Sequence, residues 1–193
     1  MTEKKMIPAA LSNRHLHLSQ EDIQQLFGEN YNLCTLKDLS QPGQFACEEK
    51  VDMIGPKGEI KGIRVLGPAR PQTQIEVSVS DSFILGVKPP VRDSGDIEGS
   101  PGVTLRGPKG EVNLNKGVII AARHIHMHTS DAERFNVVDK QKVKVRTSGE
   151  RAVVFENVLV RVSPKYALEM HLDTDEGNAA NLKNGVLVEM ITE

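Results

Sequence analysis

Ser12-Asn-Arg-His-Leu-His-Leu18 returns later in the chain as Ala121-Ala-Arg-His-Ile-His-Met127, and each copy runs into a capping residue and a short helical stretch. In both, an arginine precedes two histidines separated by one aliphatic residue. That spacing is the period of a β-strand, where residues two apart share a face and the one between them points the other way. Each copy therefore sends its aliphatic residues toward a core and both imidazoles to the opposite face. The recurrence is the mark of an internal duplication. A second echo accompanies it: Gly55-Pro-Lys-Gly-Glu-Ile60 reappears as Gly107-Pro-Lys-Gly-Glu-Val112. Pro and Gly favour tight reversal, so both copies read as turns between strands. The spacing of the two echoes differs, which excludes one simple tandem unit.

Working outward, apolar and polar residues alternate over Glu59–Val65, Gln74–Val79, Glu111–Leu114, Lys142–Arg146 and Val153–Val162, with Gly and Pro between them. Helical signals are few. Ser19 with Asp22 opens the stretch Ile23–Phe27, Ser130 with Glu133 has the form of a capping box, and a third helix is expected to begin near Asp175 and carry Asn178 to Leu182. The fold class is mainly β: two related small β-barrels with short capping helices, an arrangement that leaves no exposed sheet edges. Val87–Gly102, rich in Pro, Gly and charge, reads as a long loop near the active site or between elements.

Composition narrows the function. The 193 residues carry 24 basic and 26 acidic side chains, and the net charge of −2 draws the chain neither to nucleic acid nor to anionic membranes. Aromatic content of 4% without tryptophan leaves little to stack on bases. The longest apolar run, Val118–Ala122, falls far short of the roughly 20 residues that span a bilayer, and the polar start Thr2–Lys5 precedes no signal-like core. A cytoplasmic protein is expected, with Cys34 and Cys47 as free thiols.

All six histidines lie in three tight contexts: His15-Leu-His17, His124-Ile-His126 followed by His128, and Glu169-Met-His171. Two histidines on one strand face, about 6–7 Å apart along the chain, can share a metal ion, and zinc suits imidazole-rich sites. Recurrence of the pair in a duplicated frame favours ligands over hydrogen-bonded barrel histidines, which remain the alternative. Glu76, a carboxylate on the apolar strand Gln74-Ile-Glu-Val-Ser78, is a candidate ligand or a surface glutamate. Arg70, between Gly67-Pro68 and Pro71, presents a fork of donors that matches phosphate, or is a solvated loop residue. Lys50 and Lys57 are either phosphate-neutralising or simply solvated. Gly55–Gly58 lacks the frame of a nucleotide-binding loop.

Ser12-Asn-Arg-His-Leu-His-Leu-Ser19, Gly67-Pro-Ala-Arg-Pro-Gln-Thr-Gln-Ile-Glu-Val77, Arg123-His-Ile-His-Met127 and Leu168-Glu-Met-His-Leu-Asp-Thr-Asp175 together resemble the PduL-type phosphate propanoyltransferase family, as do Leu85-Gly-x-x-Pro-Pro-Val-Arg-x-Ser-Gly-Asp96 and Gly99-Ser-Pro-Gly102. The resemblance runs through nearly the whole chain. It implies a central β-barrel over 14–121 and a second barrel over 122–193 completed by the N-terminal strand 1–13, with an active site between them holding two zinc ions. By motif matching, His15, His17 and Glu76 would hold one ion, and His124, His126 and His171 the other. Arg70 would orient phosphate. Asn178 would contact coenzyme A, whose nucleotide portion would be received by Lys50, Lys57 and the backbone of Leu11, Ser12 and Asn13. His128 has no part in that pattern; strand alternation leaves it an extra ligand or a solvated neighbour. About ten residues precede the first motif, leaving no room for a microcompartment-targeting helix, so a free cytosolic enzyme is expected.

The resemblance implies acyl-CoA plus phosphate giving acyl phosphate plus CoA, reversibly, with acetyl or propanoyl as the acyl group. No Gly-x-Ser-x-Gly elbow occurs and neither cysteine adjoins a histidine, so direct attack by phosphate is favoured over an acyl-enzyme. The competing readings are a metal-dependent acyl-CoA hydrolase and a non-catalytic zinc-binding β-barrel module. Homo-oligomerisation is left open by the sequence.

Overall fold

The computed structural model describes residues 4–191. The first part of the chain runs β1 (Lys5–Ser12), β2 (His15–His17), α1 (Gln20–Phe27), β3 (Thr35–Asp38), β4 (Phe45–Ile54), β5 (Glu59–Gly67), β6 (Gln74–Glu76), α2 (Val79–Leu85), β7 (Val91–Arg92), β8 (Thr104–Arg106), β9 (Glu111–Asn113) and β10 (Val118–Ala121). It continues with β11 (His124–Met127), α3 (Thr129–Phe135), β12 (Lys142–Arg146), β13 (Val154–Val162), β14 (Glu169–Asp173), α4 (Thr174–Ala179) and β15 (Leu187–Ile191). These elements pack into two compact units, one of the residues through Ser12 with those from Ala122 onward, the other of Asn13–Ala121. Among the described residues no helix is long and apolar enough to cross a membrane.

The first unit is a closed barrel in the order β1-β14-β11-β13-β12-β15. β1 runs parallel to β14 and antiparallel to β15, so the strand made first fills the gap between two made last. Its core is built from inward positions of every strand, with Ile7, Ile125, Met127, Val145, Val158, Val160 and Met170 fully or almost fully removed from solvent. Each such side chain contributes roughly 1.5–3 kcal/mol by burial.

The second unit is a nine-stranded sheet in the order β7-β10-β6-β2-β5-β4-β8-β9, with β3 added on β4. The expected pair of barrels is thus one closed barrel and one open counterpart. Its end strands, the two-residue β7 and the three-residue β9, do not pair with each other among the described residues. Leu16, Leu18, Val65, Ile75 and Leu105 fill the core of this unit.

The Gly-Pro-Lys-Gly echo finds its explanation here. The Lys57 backbone N–H donates to the Leu85 carbonyl at the end of α2, and the Lys109 N–H donates to the Leu26 carbonyl at the end of α1, both at 3.0 Å. A Cβ on Gly58 would stand 2.9 Å from the Ile84 carbonyl oxygen, and one on Gly110 would stand 2.8 Å from that of Gln25. The glycines let each hairpin turn press onto a helix end and satisfy a carbonyl that the helix itself leaves open.

Local expectations are corrected in four places. The strand expected through Val79 stops at Glu76, because Ser78 and Asp81 form a capping box that starts α2. α3 is capped by His128, whose ring accepts from the Ser130 N–H, rather than opened by Ser130. α4 starts at Thr174 under an Asp173–Glu176 capping box and ends at Ala179, short of Leu182, where Asn181 turns to a left-handed φ of 52°. The segment expected as a loop over 87–102 contains β7, paired parallel with β10.

Candidate metal centre

Alternation in β2 and β11 does what the repeat implies locally. Leu16 and Ile125 are wholly buried in their cores, and the flanking histidines occupy the other face, where they too are largely covered. Each histidine strand is bracketed by a parallel neighbour on one side and an antiparallel one on the other. In the sheet unit β2 lies between β5 and β6, with His15 opposite Arg64 and Glu76, and His17 opposite Gln74. In the barrel unit β11 lies between β13 and β14, with His124 opposite Leu159 and His171, and His126 opposite Arg161 and Glu169.

The barrel unit brings three imidazoles together. Among the described residues, His124, His126 and His171 form the one set of three metal-type side chains whose donor atoms all lie within 4.8 Å of one another. His124 and His171 are stacked with centroids 5.1 Å apart, and His126 stands edge-on to His171 at 4.7 Å. The set in the sheet unit is looser. Glu76 Oε2 lies 3.5 Å from His15 Nε2, and the His15 and His17 rings meet edge-on at 5.5 Å.

Three observations on this chain's own atoms, each made in both units, test whether these residues suit a metal. The first histidine of each pair is oriented identically, with Nδ1 2.8 Å from a carbonyl two residues back, Asn13 for His15 and Ala122 for His124. That bond fixes the tautomer and leaves Nε2 as the lone-pair nitrogen. The second histidine of each pair, His17 and His126, buries an Nδ1 with no hydrogen-bond partner. Buried polar atoms are almost always satisfied, and two equivalent unpartnered nitrogens are suited to take a metal ion. Protonation is also suppressed: burial, then the Arg70 charge and His15, hold His17 down to about 3, against an opposing pull from Glu76. Burial, then His124, His171 and Arg161, hold His126 down to about 2. Neutral imidazoles with free lone pairs are what a borderline ion such as zinc requires, and the donor sets fit it.

Side chains that the sequence did not single out organise both sets. Ser94, on the segment after β7, donates to Glu76 Oε1 at 2.7 Å and lies 3.5 Å from an Arg70 Nη1, joining the carboxylate to the guanidinium. Gln74 Nε2 reaches the same Glu76 oxygen at 2.7 Å. In the barrel unit Glu169 Oε2 lies 2.8 Å from His171 Nε2, and the Tyr166 ring covers His126 at 4.4 Å. The arginines of the repeat reach the caps of the following helices. Arg14 pairs with Asp81 in the α2 box at 2.7 Å, and Arg123 pairs with Glu176 in the α4 box at 2.9 Å. None of these partners announces itself in a sequence, because each is a single polar residue whose significance lies in cross-strand register.

The remaining candidates are scattered. Arg70 is half-buried, and its N–H is anchored to the Leu18 carbonyl at 2.9 Å. Lys50 is exposed on β4 opposite Arg64, in the row that continues through His15 to Glu76, so Arg64 stands between it and the histidines. Lys57 is not in that row; it sits at the hairpin tip against Gly86. The Leu11 N–H is already given to Asn184 Oδ1 at 2.7 Å, and the Asn13 carbonyl to His15. Ser12 is half-buried at the end of β1, and Asn178 is exposed on α4. Cys34 and Cys47 are free thiols.

Comparison with known proteins adds the family context. A family model described as phosphate propanoyltransferase matches residues 8–183. A phosphate propanoyltransferase of Thermotoga maritima is 56% identical over 96% of this chain and 89% of its own length. One from Priestia megaterium is 53% identical over 95% of this chain and 84% of its own. One from Clostridioides difficile is 48% identical over 98% and 90%.

Proposed function

Because the chain belongs to the phosphate propanoyltransferase family, we propose that it exchanges a short acyl group, acetyl or propanoyl, between coenzyme A and inorganic phosphate, using two zinc ions held by its duplicated histidine frame. The observation that carries the two-ion reading is the equivalent pair of buried, unpartnered Nδ1 atoms on His17 and His126, the first beside His15 and Glu76 and the second clustered with His124 and His171. His15, His17 and Glu76 hold one ion in this proposal, and His124, His126 and His171 hold the other. Three protein ligands leave an open position at each, the mark of a working rather than a structural site.

Bound there, zinc supplies Lewis-acid chemistry, stabilising the departing thiolate and the charge that gathers on the thioester oxygen. The chain's own residues do the rest. Arg70, steadied through Ser94 and its backbone bond to Leu18, offers paired donors to phosphate and fixes the direction of attack, which lowers the entropic part of the barrier. A phosphate oxygen forms the new bond to the acyl carbon, the carbon–sulfur bond breaks, and CoA leaves as thiolate. Burial of His17 and His126 holds these two imidazoles unprotonated, so they remain ligands rather than acids. Lys50, the exposed Asn178 and the Leu11–Asn13 segment are the proposed contacts of coenzyme A; Lys57 is the weakest of these, given its place under α2. Action in the cytoplasm as a free enzyme completes the proposal.

The test is release of CoA thiol from acetyl-CoA and propanoyl-CoA by zinc-loaded protein, with and without phosphate, before and after chelation. Phosphate-dependent, chelator-sensitive release with acyl phosphate as product is expected. Phosphate-independent release would make the protein a hydrolase, and no turnover would make it a binding module.

A further inference from the structure

The two strand registers share a correspondence that neither site shows alone. Opposite the first histidine of each frame stands the third ligand, Glu76 across from His15 and His171 across from His124. Opposite the second histidine stands the residue two places earlier, Gln74 across from His17 and Glu169 across from His126. Gln74 and Glu169 thus occupy one position of the duplicated frame, and each bonds the third ligand of its own unit, Gln74 Nε2 to Glu76 Oε1 at 2.7 Å and Glu169 Oε2 to His171 Nε2 at 2.8 Å.

We propose that Gln74 and Glu169 are equivalent positioning residues, each matched in hydrogen-bonding polarity to the third ligand it serves; the inference rests on the zinc reading above. An ionised carboxylate only accepts, so the residue behind Glu76 must donate, and an amide does. An imidazole that gives one nitrogen to a metal keeps an N–H on the other, so the residue behind His171 must accept, and a carboxylate does. Where the ligand changed from acid to base between the copies, its supporter changed in the opposite sense.

The geometry fixes which atom is left for the ion. Gln74 is 2% exposed, and its Oε1 takes the Gly95 N–H at 2.7 Å, which turns its NH2 toward Glu76. The same NH2 lies 3.0 Å from Ser94 Oγ, and both groups converge on Glu76 Oε1. Glu76 Oε2, the oxygen facing His15 Nε2, is the one presented inward. In the barrel unit the Glu169 bond occupies Nε2 of His171, which leaves its Nδ1 for the ion.

Zinc affinity measured by chelator competition, beside the melting temperature of the zinc-free protein, separates positioning from general structure. The wild-type chain is expected to take up two ions. Gln74→Met and Glu169→Ala should each weaken one ion by about 10–100-fold and leave the other at wild-type affinity, while the zinc-free melting temperature stays close to that of wild type. Should one variant fail to fold, the other carries the test, since the two lie in separate units. Two-ion wild-type binding with unchanged affinity in the folded variants would overturn this inference alone. A wild-type chain that takes up no zinc would overturn the zinc reading and this inference with it.

Discussion

The barrel unit and the sheet unit use one backbone plan to present different donor sets. In both, an Arg-His-x-His strand lies antiparallel to a short strand that ends in a capped helix, and the arginine ties the two together through the acid at the third position of that helix. What differs is the third donor, a carboxylate in the sheet unit and an imidazole in the barrel unit. Held as proposed, the ion in the sheet unit would carry one unit of positive charge less than its counterpart, so the two would differ as Lewis acids although their frames match. Register, once duplicated, persists; side-chain chemistry on that register is free to diverge, provided the supporting residue diverges with it.

Loss of a donor should separate the two sets most strongly. His124→Ala is expected to release one zinc equivalent and cut phosphate-dependent turnover by at least roughly a thousandfold, since metal stabilisation of developing charge amounts to several kcal/mol. Zinc content by elemental analysis beside kinetics checks it, and retention of both would break the comparison at its root. The tying arginines come next. The Asp81 side chain is 2% exposed whereas that of Glu176 is 21% exposed. Arg14→Ala strands the more deeply buried acid and should cost about 3 kcal/mol, with Arg123→Ala costing about half as much, read from urea unfolding midpoints. Equal losses would show that burial does not set the difference.

Arg70→Ala should raise the phosphate KM and lower turnover by roughly 10–100-fold while both ions stay bound, which steady-state kinetics at varied phosphate would reveal. A pH series on the zinc-free protein sharpens the likeness of the two units. Both His17 and His126 are depressed from 6.5, to about 3 and about 2. Below pH 6.5 the unfolded chain therefore binds more protons than the folded one, and stability falls as pH is lowered from 6.5 toward 3. The slope should be about 1.4 kcal/mol per pH unit for each histidine, and His126→Gln should remove one histidine's share. The smallest effect is expected at His128→Ala, which removes a helix cap and should cost about 1 kcal/mol or less in thermal unfolding, leaving zinc content and turnover untouched.

Sequence alternation made the β class and the histidine strands legible, because aliphatic and imidazole residues with period two have only one extended solution that buries the first. Lys142–Arg146 coincides with β12 for the same reason. Where a helix cap competed with alternation, as at Ser78 and Asp81, the cap prevailed, since it satisfies two backbone donors that alternation leaves open. The convergence of His171 with His124 and His126 is a long-range pairing with no local signal, and it entered through family likeness. Gln74, Ser94 and Glu169 were illegible by any route available to a single chain: a polar residue on a strand becomes informative only when the strand beside it is known.

The placement of β1 also dictates an order of assembly. Its partners β14 and β15 emerge from the ribosome last, so the barrel of a growing chain stays open while Asn13–Ala121 has all its strands and its core in hand. The sheet unit is free to fold during translation, whereas the barrel, dominated by pairings between distant stretches of chain, waits for β15. Until then Ile7 and Ala9 have no barrel to fill, and apolar side chains left without a core favour aggregation.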